Sequence, residues 1–225
     1  MLSESDSDFL SHTCGFYERL SVAERESLLA TSKAITYEKG SVLHSGDGDC
    51  LGAIVVKTGE LRIALVSPQG REVTLTRLFP DDVCMLAASC IFDAISFEVF
   101  ISAEKDTDVV VFEVANFKRL IAENVYVEAF SYRQMAEKFS EVVWMIEQVF
   151  FMSFDQRLAT FLLDECAKTG ADIIDLSHDK IASYMGASRE AVSRMMKFFE
   201  REGLVGLRYK HVELTDKPGL RALIG

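Results

Sequence analysis

Four side chains in the C-terminal quarter, Arg189, Glu190, Ser193 and Arg194, are of the types that read base-pair edges. An arginine grips guanine O6 and N7 with two parallel donors, and a glutamate accepts from cytosine N4. Around them stand Ser188, Lys197, Arg208 and Lys210, whose donors suit phosphate oxygens. The chemistry in view is non-covalent recognition of double-stranded DNA. The plain alternative is a helical hairpin with a solvated charged face.

Two short helices must position this set. Ile181, Ala182 and Met185 fall at helical spacing, and Gly186 tolerates the positive φ of a tight turn. Ser188 can then cap a second helix whose apolar side is Val192, Met195 and Met196. Ala182 stands where the two helices cross closely, a place a larger side chain would wedge apart. Turn, cap, apolar spacing and reader types coincide, and that coincidence favours a helix-turn-helix over a plain hairpin. Downstream, Gly203 to Leu214 alternates around Tyr209-Lys210 as a two-stranded wing would.

Charge supports a one-sided DNA contact. The 225 residues carry a net charge of −11. Residues 1–153 hold 13 Lys and Arg against 24 Asp and Glu, whereas residues 154–225 are balanced at 11 against 11. From Ser188 to His211 six basic residues face three acidic ones, a modest basic footprint on an acidic body.

Length allows two domains with cores of their own, and no run approaches the roughly 18 apolar residues of a membrane helix. The polar, acidic start lacks the form of a secretory signal, which predicts a cytoplasmic protein with no membrane partner. Five cysteines at 14, 50, 84, 90 and 166 form neither a disulfide framework nor a CxxC zinc pair. His12, His44, His178 and His211 show no metal spacing and read as surface or loop residues. No nucleophile elbow, Gly-rich phosphate loop or His/carboxylate motif is present, so an enzyme is not expected and metal and catalytic residues are none.

Along the chain, Ser21-Val-Ala-Glu24 has capping-box form and predicts a first helix over 21–31. Short β runs follow at 34–37, 51–57, 60–67, 72–79, 97–104 and 108–114, with Leu61, Ile63 and Leu65 on one apolar face. Glycines punctuate them as in a roll of antiparallel hairpins. Asp82 to Phe92 interrupts the roll with helical spacing, either lining a pocket or plugging one end.

From Ala115 to Phe151 the chain reads as helix, broken near Asn124. Met135, Phe139, Val142, Ile146 and Val149 recur at intervals of three or four, more apolar surface than a lone helix leaves in water. The stripe predicts a homodimer seam. Ser153-Phe-Asp-Gln156 is a further capping box, which makes Ser153 a hinge. The fold class is α+β: an N-terminal antiparallel β-roll sensor of jelly-roll type (1–114), a long dimerisation helix (115–152) and a C-terminal winged helix-turn-helix (153–225).

The whole chain resembles the CRP/FNR family of bacterial transcription regulators, most specifically over Ala187-Ser-Arg-Glu-Ala-Val-Ser-Arg194. The resemblance implies that Arg189, Glu190 and Arg194 match the readers of the cyclic-AMP-responsive branch, while Glu190, Ser193 and Arg194 match the Glu-x-x-Ser-Arg pattern of the FNR branch. It further implies a palindromic site with a TGA-like half-site core, and RNA polymerase as a partner. The roll departs from that pattern. Cyclic-AMP-binding relatives place Gly-Glu at the inserted helix and Arg-Ser or Arg-Thr soon after; here Cys84-Met85 and the vicinity of Phe97-Glu98 take those places. Glu98 would repel a phosphate, so cyclic AMP is not expected. Only Cys14 lies in the region of the family's iron–sulfur cysteines, so neither an iron–sulfur cluster nor haem is supported and the cofactor is unknown.

Three modes of control stand open. A small apolar effector could sit in the roll against Cys84, Met85, Leu86, Phe97, Met135 and Phe139; Cys84 and Cys90 could act as a redox pair or haem ligands; or no effector operates. A different class of function is a ligand-binding module whose winged helix docks protein.

Overall fold

The computed structural model describes residues 2–45, 51–67, 70, 72–86, 99–208 and 211–225. The chain forms two compact units, Met1–Gly70 with Leu75–Val142 and Arg71–Thr74 with Val143–Gly225, and each is described by itself.

The N-terminal unit begins earlier than the spacing after Ser21 predicts. Helix α1 spans Glu4–Thr13, and a single tight turn follows over Tyr17–Arg19. Ser3 Oγ accepts from the Asp6 N–H at 3.2 Å, and the Asp6 carboxylate accepts from the Ser3 N–H at 2.9 Å. The capping box thus uses an aspartate where glutamate or glutamine is usual, and only Leu10 and Asp6 are buried, so the apolar pattern is faint. Helix α2 (Val22–Thr31) begins where predicted, with Glu24 accepting from the Ser21 N–H at 2.7 Å.

The β-roll follows: β1 (Lys33–Tyr37), β2 (Val42–His44), β3 (Ala53–Val56), β4 (Leu61–Val66), β5 (Glu72–Leu78), β6 (Val83–Cys84), β7 (Phe100–Ala103) and β8 (Thr107–Phe112). They form two four-stranded sheets, ordered β1-β8-β3-β6 and β2-β7-β4-β5, and each described ladder is antiparallel. All four residues of β3 are buried because both faces of its sheet are covered. Ile54 and Val56 join the roll interior, whereas Ala53 and Val55 join the cluster built with α1, α2, Phe112, Phe117 and Leu120.

Two expectations for the roll are corrected, and one strand lies outside the predicted runs. Val83 and Cys84 are a strand pairing with Val55 and Ile54, not the start of a helix at Asp82. A short, fully buried apolar run cannot be told from a helix by periodicity alone. Cys90 lies, with residues 87–98, outside the described residues, so the pairing considered for Cys84 and Cys90 falls outside them too. On β4 the burial pattern shifts: Arg62 is buried and Leu65 is exposed, although alternation places Leu65 on the apolar face. Strand β2 was not signalled; three residues are too few to show alternation.

Helix α3 (Val114–Glu123) is capped by Glu113, whose carboxylate accepts from the N–H groups of Ala115 and Asn116. Asn124 ends it, and helix α4 runs Val125–Phe151, with the break where the sequence predicts. No helix of the described residues is long and apolar enough to cross a membrane.

The C-terminal unit contains α5 (Phe154–Thr169), β9 (Ile173–Ile174), α6 (His178–Met185), α7 (Arg189–Arg201), β10 (Val205–Arg208), β11 (His211–Leu214) and α8 (Lys217–Ile224). The wing gains a third strand, because β9 pairs with β11. Helix α8 carries no sequence signal of comparable strength: it has eight residues, with Gly219 inside. Asp216 caps it by accepting from the Gly219 N–H at 2.9 Å, and Leu220 is buried.

Candidate nucleic-acid interface

Helix α6 is capped by Ser177, whose hydroxyl accepts from the Lys180 N–H at 3.2 Å. It stops at Gly186, whose φ of +61° is the left-handed conformation a side chain would resist. Ser188 then caps α7 by accepting from the Ala191 N–H at 3.2 Å. Of the predicted apolar side of α7, Val192 and Met196 are buried and Met195 is half-buried; Phe199, outside that prediction, is buried with them, in one cluster with Ile181 and Ala182 of α6. A helix with one face fixed against a core must present the opposite face to solvent. Arg189, Glu190, Arg194 and Lys197 accordingly stand exposed, as does Ser188 at the start of the helix.

Two of the predicted readers are engaged by the first turn of α6. Arg189 Nε lies 3.4 Å from Asp179 Oδ1 in an exposed ion pair. Ser193 Oγ lies 2.9 Å from His178 Nδ1, so this histidine is half-buried against a predicted reader and not a simple surface residue. Burial and the positive charges of Arg189 and Lys197 lower the His178 pKa below the usual imidazole value, against a smaller opposing effect from Asp179. The pair His178 and Asp179 went unnoticed in the sequence because the contact to Ser193 spans fifteen residues, which no helical or strand period connects.

Arg194 also borders an open hollow of about 480 Å³ lined by Phe154, Ala191, Met195 and Phe198. In the wing, Arg208 pairs in register with His211 and makes an exposed ion pair with Glu213 at 3.5 Å. Lys210 lies outside the described residues.

The residues named for effector contact are placed differently. Cys84 and Leu86 are buried in the roll interior, whereas Met85 is buried in the other cluster, the layer with α1–α3, because neighbours along an extended chain face opposite sides; Met135 packs on both clusters. Phe139 is 70% exposed on α4, away from both clusters, and Phe97 lies outside the described residues. Val142 is half-buried, while Ile146 and Val149 are exposed beside Val143 and Trp144. Ser153 precedes α5, donating its N–H to Gln156 Oε1 at 3.0 Å and its hydroxyl to Asp155. Among the described residues, no group of three or more His, Cys, Asp or Glu is arranged to hold a metal ion.

Residues 156–223 match the Crp-like helix-turn-helix domain, and residues 34–124 match the cyclic nucleotide-binding domain. A solved structure from Eubacterium rectale, described as a transcriptional regulator of the crp/fnr family, is 37% identical, covering 95% of this chain and 99% of that one with a TM-score of 0.90. The transcriptional regulatory protein btr of Bordetella pertussis is 26% identical over 85% of this chain and 81% of its own length. The transcriptional activator protein FnrA of Stutzerimonas stutzeri is 28% identical over 84% of this chain and 79% of its own. A Crp-like helix-turn-helix joined to a roll of the cyclic nucleotide-binding type defines a DNA-binding transcription regulator. The chain belongs to the CRP/FNR family.

Proposed function

We propose that this regulator is a homodimer that reads a palindromic DNA site whose half-sites contain a TGA-like core, under the control of a small effector that is not a cyclic nucleotide. The observation that carries the reading is the exposed row Arg189, Glu190 and Arg194 on α7, opposite the buried Val192, Met196 and Phe199. Arg194 and Glu190 read the G·C pair of the core; Ser188, Lys197, Arg208 and Lys210 hold phosphates. Residues 1–114 sense, 115–152 join two copies, and 153–225 bind DNA.

The dimer reading is supported by α4, where Phe139, Val143, Ile146 and Val149 are exposed at intervals of three or four, with Phe150 beside them. Effector binding shifts the paired helices and turns the hinge at Ser153, so that two α7 helices reach successive major grooves about 34 Å apart. RNA polymerase is the partner on the promoter.

The residues of the roll do not fit a cyclic nucleotide. Cys84 and Met85, both 1% exposed, take the place where such relatives hold ribose, and neither brings a strong hydrogen-bonding group. The burial of Cys84 supports an apolar effector instead, with Leu86 and Met135 as neighbours in the same cluster.

The test is fluorescence anisotropy of labelled palindromic and genomic duplexes across a salt series, together with light scattering of the free protein. Wild type gives a steep salt dependence and a dimer mass, and the Arg189→Ala, Arg194→Ala double variant loses specific binding. Binding indifferent to salt and to both arginines, or a monomer at micromolar concentration, overturns the reading.

A further inference from the structure

We propose that His178 sets the hydrogen-bonding polarity of Ser193 on the DNA-reading face, and so makes one base preference of this protein depend on pH. The inference rests on the proposed DNA reading and extends it to a residue that is not itself one of the readers.

A serine hydroxyl has one proton and two lone pairs, so what it offers outward depends on what it gives inward. His178 Nδ1 and Ser193 Oγ lie 2.9 Å apart, a contact in which either atom can be the donor. With the proton of the neutral ring on Nε2, Nδ1 accepts the only proton of Ser193. The hydroxyl then shows lone pairs alone and suits a base edge that donates, cytosine N4 or adenine N6. With a proton on Nδ1, as one neutral tautomer and as the imidazolium, the ring donates to Ser193. The hydroxyl proton is then released for guanine O6 or N7, or for thymine O4. Protonation abolishes the first arrangement altogether, because an imidazolium has no lone pair to accept with.

The charged groups of the first turn of α6 and the facing side of α7 determine when this happens. Burial opposes the imidazolium, joined by Arg189 and Lys197, while Asp179 favours it, so the balance leans toward the neutral ring. The same Asp179 holds Arg189 at 3.4 Å in the free protein. When Arg189 and Lys197 turn to bases and phosphates their opposition weakens, and the ring gains proton affinity in the complex.

The experiment uses full-length protein and a set of palindromic duplexes carrying each base in turn at every half-site position. Relative affinities are measured by competition at about pH 8 and at about pH 5.5, a span across which imidazole titrates. Wild type shifts its preference at one position toward guanine or thymine at the lower pH by about fivefold, the value of one net hydrogen bond. His178→Phe binds with the usual salt dependence but loses the shift, and Ser193→Ala loses the shift together with part of the affinity at that position. Nitrogen chemical shifts of the His178 ring in wild type and in Ser193→Ala provide a readout independent of the His178→Phe variant: the Nδ1 signal moves when the hydroxyl is removed. Salt-dependent binding with a pH-independent preference, or a shift that survives in His178→Phe, overturns the proposal alone. An absence of salt-dependent DNA binding in wild type overturns the DNA reading beneath it.

Discussion

In the C-terminal unit the proposed readers stand outside a finished core, whereas in the roll the described residues named for effector contact are part of the core. Arg189, Glu190 and Arg194 are exposed on α7 above buried Val192 and Met196, but Cys84 and Met85 are as buried as Ile54 and Leu61. The difference teaches what kind of site a linear pattern discloses. A polar row on a helix is visible because the apolar row behind it fixes the face. A pocket inside a roll is made of residues that packing would choose anyway.

The comparison predicts that substitutions in the roll lower stability and substitutions on α7 lower DNA affinity. Phe112→Ala, which empties a fully buried ring position between Phe16 and Phe117, lowers the unfolding free energy by about 3–5 kcal/mol in guanidinium titration. A loss below about 1 kcal/mol would break the picture of a tightly packed N-terminal unit. Arg194→Ala does the reverse. It weakens specific DNA binding by about 10- to 100-fold, the effect of one lost bidentate contact, and leaves the melting temperature in place.

Asp6 tests the acidic unit from another side. Burial raises its carboxyl pKa, but hydrogen bonds from Lys57, 2.5 Å away, and from Ser3 outweigh burial and hold it at about 2. Since the folded value is below the ordinary 3.8, this stabilisation is present above about pH 4 and is lost as pH falls toward 2. Asp6→Asn therefore costs about 2 kcal/mol at neutral pH and flattens the acid limb of the stability curve, as read by circular dichroism. Ser188→Ala gives the smallest effect and sharpens the boundary between the two classes. Loss of the cap on α7 lowers stability by about 1 kcal/mol, and loss of the hydroxyl modestly weakens DNA binding at every sequence, as read by calorimetry and anisotropy.

Where the sequence was most legible, several local rules agreed. At α6–α7 the left-handed glycine, the serine cap and the apolar spacing all describe the same turn, and the structure has each of them. The break at Asn124 and the start of α2 were equally plain. Legibility failed where one rule acted alone or where the decisive neighbour is remote. Helix α1 hides behind an aspartate box and one buried leucine, and β6 is a two-residue strand whose apolar run also fits a helix. Arg62 looked like the polar side of a strand, yet it is 4% exposed, because the covering of a sheet face is a property of the fold and not of the strand. The contact of His178 with Ser193 belongs to the same group: each residue is ordinary by itself, and the packing of α6 on α7 makes them partners.

Met135 carries a mechanical consequence. It is the residue of α4 that packs against both apolar clusters of the N-terminal unit, the roll interior and the layer formed with α1–α3. Dense interiors are stiff and pass strain on without absorbing it. On the proposed function, a molecule wedged into the roll would displace the α4 backbone at this side chain like a foot on a pedal, and the size of the occupant, more than its polarity, would set how far the helix travels.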